Sequence, residues 1–214
     1  MLKTPLCGVF YFSQLMKPIY RNLFILSFVI LAGAGWAVMS PGIALQRNAR
    51  IGDPIDSLDG VYVYHNGSVS HTCGRNLSPD GYNLGLKYQC VEFAKRYYYE
   101  HYHHKMPDSY GHAKDFFRKD LTSGQRNQAR NLIQFTNGVS TTPPQRGDLV
   151  VWDGTAFNPY GHIAVISEVT NREVEIIQQN PGPVAPSRIR PALQQRDGKW
   201  RIVSGNLLGW LGKR

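Results

Sequence analysis

Gly85-Leu-Lys-Tyr-Gln-Cys-Val-Glu-Phe-Ala-Lys-Arg96 marks the point where turn chemistry gives way to a helix. Upstream, Asn76, Pro79, Asp80, Gly81, Asn83 and Gly85 are turn formers. Downstream, Val91, Phe93, Ala94, Tyr97 and Tyr98 recur at helical spacing and predict one apolar stripe on a helix over 88–102. Cys90 falls in the first turn of that helix. There the free N–H groups and the positive end of the dipole favour thiolate, the nucleophilic form of the side chain.

A nucleophile needs a base. Arg146-Gly-Asp148 turns into the apolar run Leu149-Val-Val-Trp152, which reads as a buried strand. A polar loop containing Gly154, Asn158, Pro159 and Gly161 leads to His162-Ile-Ala-Val-Ile166, so His162 opens a second β-rich run. Beyond Asn171, Glu173-Val-Glu-Ile-Ile-Gln178 alternates polar and apolar residues and ends at Gln179-Asn180. Polar groups at that end can reach a histidine on the neighbouring strand. A helix-borne cysteine, a strand-borne histidine and a polar orienter from the next strand make the papain-like arrangement for acyl transfer.

Tyr88-Gln-Cys-Val-Glu-Phe-Ala-Lys-Arg96, Arg146-Gly-Asp148, Gly161-His-Ile-Ala-Val165 and Gln179-Asn180 together resemble the CHAP family of cysteine- and histidine-dependent amidohydrolases and peptidases. Within it, the segment around Cys90 is similar to the amidase domains of glutathionylspermidine synthetase/amidases. The resemblance covers roughly residues 52–214 and includes Asn206-Leu-Leu-Gly-Trp-Leu211 as a closing strand. It implies Cys90 as nucleophile and His162 as general base and later acid. Gln89 and the Cys90 backbone N–H become the oxyanion donors. Relatives carry a glutamate at the end of the third strand, where this chain has Gln178-Gln179-Asn180. The orienter is therefore Gln178 or Asn180, a neutral amide that stabilises imidazolium less than a carboxylate does.

The order of elements predicts helices at 88–102, 111–120 and 123–135, then strands at 148–152, 162–169, 172–178 and 199–203. This is an α+β class: a papain-like fold with N-terminal helices packed on an antiparallel sheet, preceded by a hydrophobic segment. Glu92 is placed to pair with Arg96 one turn on. His101, His103 and His104 read as a solvated helix end. His71 and Cys73 form a His-x-Cys pair without a second pair at metal-ligand spacing, so neither metal nor cofactor is expected.

Lys17 and Arg21 precede an uncharged run of 17 residues, Leu23–Met39. That length suits either a signal peptide, cleaved near Ala44, or a short membrane anchor. Either Met1 or Met16 serves as the start. The basic flank predicts an N-terminus inside and the remaining chain outside, in the periplasm or cell envelope. The organisation is then a leader or anchor at 1–44, a linker at 45–54 and a catalytic domain at 55–214. With 24 Lys+Arg against 15 Asp+Glu, the net charge is +9. An exported basic domain suits an anionic polymer such as peptidoglycan, or a membrane surface through the N-terminal segment. No basic-aromatic motif points to nucleic acid, and a monomer is expected. The substrate is peptidoglycan or another amide, with a small thiol-polyamine conjugate as the alternative. A catalytically inactive wall-binding module is the non-enzymatic reading.

Overall fold

A computed structural model describes residues 49–182 and 185–214. The expected leader or anchor at 1–44 and the first part of the linker lie outside these residues. Among the described residues, no helix is long and apolar enough to cross a membrane.

The centre is a seven-stranded antiparallel sheet. Its strands are β5 (Arg126–Asn127), β6 (Leu132–Thr136), β7 (Leu149–Trp152), β8 (His162–Val169), β9 (Val174–Ile177), β10 (Arg188–Ile189) and β13 (Leu207–Gly212). They lie in the order β10-β9-β8-β7-β13-β6-β5. Three two-stranded ribbons surround it: β1 (Pro54–Leu58) with β2 (Val61–Tyr64), β3 (Arg75–Leu77) with β4 (Asn83–Leu86), and β11 (Leu193–Arg196) with β12 (Lys199–Ile202).

Alternation along the strands divides the core. Val151, Ile163, Val165 and Ile177 face α1 (Cys90–Tyr102), together with Phe93, Ala94, Tyr97 and Tyr98 of that helix. Val150, Ala164, Ile166, Ile176 and Trp210 fill the opposite face. The helix ends at His103, whose left-handed conformation (φ 49°) sends its N–H to the Tyr98 carbonyl.

The expected α+β layout of several N-terminal helices on a sheet is not what the chain builds. The described residues contain one α-helix and are mostly β. The segment 111–120 forms only a short 3-10 helix, Ala113–Phe116. The segment 123–135 forms the β5–β6 hairpin, with Asn127 opposite Leu132 and Asn131 left-handed (φ 51°) in its turn. Gly124 and Asn131 are turn residues, and β13 offers β6 a full antiparallel ladder from Gly209↔Thr136 to Gly212↔Ile133. Those tertiary hydrogen bonds override a helix-like spacing of apolar residues. His104 also departs from the solvated-cap reading: it is buried and its Nε2 meets the Arg130 carbonyl at 2.9 Å.

The Arg146-Gly-Asp148 block is a structural joint. Buried Asp148 accepts two hydrogen bonds from Arg214, at 2.8 and 2.7 Å, and one from the Gln145 N–H. The Gly147 carbonyl accepts from the Tyr98 hydroxyl, which ties α1 to the sheet.

The β7–β8 turn depends on Gly161, which has φ +73°. A Cβ there would lie 2.4 Å from the Trp152 carbonyl oxygen. Gly161→Ala therefore meets both backbone strain and a clash with backbone. It is expected to lower stability by roughly 2–3 kcal/mol in denaturant titration. A wild-type midpoint would show that the turn relaxes freely.

Candidate active site

Cys90 is partly buried at the start of α1, directly after the N-cap residue Gln89. The first turn is anchored by Glu92, which is almost wholly buried. Its carboxylate accepts from Arg96 at 2.6 Å, Asn76 at 2.8 Å and Gln179 at 2.8 Å. Arg96 also donates to the Tyr62 carbonyl and lies over the Tyr64 ring. A buried charge is tolerated only when paired and hydrogen-bonded in this way. Gly85 (φ +127°) lets β4 approach the same turn, since a Cβ there would sit 3.2 Å from the Glu92 backbone.

The β8–β9 ladder runs from Val169↔Val174 to Val165↔Ile177. Beyond its end, the Ile163 N–H lies near enough to the Cys90 sulfur to favour its charged form. The thiol thus sits beside the backbone of the residue that follows His162. Among the described residues no hydrogen bond joins the thiol to the imidazole. Burial pushes the Cys90 pKa up, against the pull of the Ile163, Val91 and Cys90 N–H groups. The thiolate expected from the helix terminus is not the resting form, because desolvation outweighs those donors.

His162 opens β8 opposite Trp152, with 5.6 Å between ring centroids. Its Nε2 lies 3.0 Å from Gln178 Oε1. Gln178 Nε2 donates to the Pro186 carbonyl, which turns the amide oxygen toward the ring. An amide oxygen only accepts, so Nε2 carries the proton and Nδ1 keeps its lone pair. Burial pulls the His162 pKa down to about 4, with the Gln178 hydrogen bond opposing it. Cys90 and His162 are therefore each uncharged near neutral pH.

The tripeptide 178–180 divides its work. Gln178 meets His162. Fully buried Gln179 accepts from the Tyr64 N–H at 2.7 Å and donates to the Gln89 carbonyl at 3.0 Å as well as to Glu92. Asn180, left-handed at φ 54°, donates to Gln89 Oε1 at 2.8 Å and to the Val69 carbonyl at 2.9 Å. It does not reach His162. The Gln89 amide nitrogen donates to the carbonyls of Val69, at 3.1 Å, and His71, at 2.8 Å. Sequence reasoning missed Gln179 and the 69–71 strap. Alternation through 178–180 could have flagged Gln179 as facing away from its two neighbours, whereas nothing in the strap's sequence marks its carbonyls as acceptors. Among the described residues, no group of three or more His, Cys, Asp or Glu is arranged to hold a metal ion.

Residues 80–180 match the family model of the CHAP domain. The chain is 29% identical over 146 residues to trypanothione synthetase from Crithidia fasciculata, covering 67% of this chain and 22% of that protein. It is 35% identical over 108 residues to the bifunctional glutathionylspermidine synthetase/amidase of Escherichia coli K12, covering 50% and 17%. The chain thus spans roughly a fifth of the length of these curated relatives. A solved structure described as "The crystal structure of Ly7917" matches with a TM-score of 0.32 and 16% identity, over 58% of this chain and 53% of that one.

The electrostatics set two expectations. An unfolded chain binds a proton at His162 near pH 6.5, while the folded protein resists doing so until about pH 4. Stability should therefore fall as pH drops through that window, by up to roughly 3 kcal/mol. Urea titrations of His162→Phe should lack that component; equal slopes in both proteins would mean that the imidazole is not held neutral. Secondly, in a Cys7→Ala/Cys73→Ala background, iodoacetamide should modify native Cys90 more slowly at pH 7 than it modifies the urea-unfolded chain. The rate should still climb above pH 9. A plateau below pH 7 would indicate a resting thiolate instead.

Proposed function

We propose that this chain, which carries a CHAP domain at residues 80–180, is an exported thiol-dependent amidohydrolase or endopeptidase that cleaves amide bonds of peptidoglycan. The CHAP match and the amidase among its relatives support hydrolysis of amides. The observation that carries the thiol-dependent reading is a histidine at the start of β8 held by an amide, with a helix-start cysteine beside the backbone of the next residue, Ile163. A glutamine fixes the imidazole tautomer of that histidine, leaving Nδ1 as the proton acceptor. The basic composition and the apolar run Leu23–Met39 support an anionic envelope polymer as the setting.

In this mechanism the resting pair is neutral. When an amide carbonyl arrives, Nδ1 of His162 takes the thiol proton and the sulfur attacks the carbonyl carbon. The imidazolium formed is held through Nε2 by Gln178, a weaker support than a carboxylate. Negative charge on the tetrahedral oxygen meets the Cys90 N–H and the Gln89 amide, which gives up a strap carbonyl to do so. His162 then protonates the departing amine. Water, deprotonated by the same ring, releases the acyl group and regenerates the thiol.

A second reading follows from the relatives: amide hydrolysis of a small thiol-polyamine conjugate, as in glutathionylspermidine. The catalytic groups would be the same and only the substrate would differ. A third keeps the fold as a binding module without chemistry.

Purified full-length protein in mild detergent, with Cys90→Ala and His162→Ala alongside, should be incubated with peptidoglycan and the soluble products read by mass spectrometry. Wild type should release fragments, and either variant should fall by on the order of 10³-fold or more. Identical spectra from all three would remove peptidoglycan hydrolysis. Release of spermidine from glutathionylspermidine by wild type alone would then establish the second reading.

A further inference from the structure

Beside the β7–β8 turn lies a cleft of about 380 Å³ lined by Lys114, Asp115, Phe117, Arg118, Lys119 and Asp153. It opens at the turn that delivers His162. The Lys114 N–H donates to the Tyr160 carbonyl at 3.0 Å, and a Cβ added to Gly161 would lie 3.0 Å from Lys114 Cβ. Asp153 directly follows Trp152, the residue paired with His162 across the ladder.

Most charges lining the cleft are already matched. Arg118 makes two hydrogen bonds to Asp120, at 2.9 and 2.7 Å. Lys119 meets Asp153 at 2.6 Å. The Asp115 carboxylate accepts from the His112 N–H at 2.8 Å and is engaged in its own turn. Lys114 is different. It is half-buried, and among the described residues its ammonium makes no direct ion pair or hydrogen bond; it shares the field of Asp153 with Lys119, so two ammonium groups face one carboxylate there. Next to it, Phe117 supplies an apolar wall.

We propose that this cleft is a substrate subsite in which Lys114 binds a free carboxylate next to the scissile amide. The inference rests on the amidohydrolase reading above and narrows its substrate class. An ammonium without a direct partner, in excess over the one carboxylate it shares with Lys119, suits a carboxylate on a short aliphatic stem beside the aromatic wall, as in a peptide with an acidic residue or free C-terminus. The same ammonium repels a polyamine. The cleft therefore selects acidic peptide amides at this position.

Binding tests the subsite separately from chemistry. The probes are one short peptidoglycan tetrapeptide with a free terminal carboxylate and the same peptide ending in carboxamide. Both are titrated calorimetrically into full-length Cys90→Ala and into Cys90→Ala/Lys114→Met, in which methionine keeps most of the stem that packs on Gly161. The carboxylate form should bind about 10-fold tighter than the amide form. That preference should shrink to below about twofold with Lys114→Met and weaken with added salt. Equal binding of the two forms, no binding of either, or a preference that survives Lys114→Met would overturn the subsite. Retained discrimination together with no turnover of peptidoglycan by wild type would sink the hydrolase reading and leave the subsite standing.

Discussion

A carboxylate without water around it organises this protein. Glu92 lies in the first turn of α1 at 1% exposure and would be untenable there alone. Three donors from three parts of the chain converge on it: Arg96 on the same helix, Asn76 on β3 and Gln179 just past β9. The helix terminus adds its own preference for negative charge. Because Gln179 must face Glu92, its neighbours are turned elsewhere. Gln178 is delivered to His162, and Asn180 is bent into a left-handed conformation against Gln89. The geometry around the thiol follows from solving the burial of one charge.

Cys90 and His162 themselves avoid charge. Burial raises the thiol pKa and lowers that of the imidazole, and the orienting residue is an amide with no charge to oppose either shift. A carboxylate in place of Gln178 would favour imidazolium and thiolate. A glutamine preserves the tautomer and leaves both groups uncharged. A thiol raised in this way is less prone to side reactions.

Periodicity exposed what periodicity controls. The helix read over 88–102 stands at Cys90–Tyr102, and the run beginning at His162 is a strand to Val169. Both are continuous stretches whose buried faces repeat at one period. The segment 123–135 misled because its apolar residues answer to a partner strand about 75 residues later in the chain, β13, which local spacing does not reveal. Asp148 was visible as part of a recurrent block, but its reason lies in Arg214 at the other end of the domain. The residue types of the candidate site stand in the sequence. Their connections do not, because the Gln89, Gln179 and Asn180 side chains bond mainly to backbone groups that any residue could supply.

The Gln179 bridge also has a temporal side. It joins the Tyr64 N–H, the Gln89 carbonyl and the Glu92 carboxylate across 115, 90 and 87 positions of sequence. Closing loops of that size carries a large entropic cost before any contact rewards it. Until residue 179 has joined the folding chain, Glu92 lacks a donor and the first turn of α1 lacks its brace. The brace is thus built only from contacts between distant parts of the sequence. A growing or truncated polypeptide holding Cys90 and His162 but lacking the segment beyond β9 has both side chains without the frame that sets them.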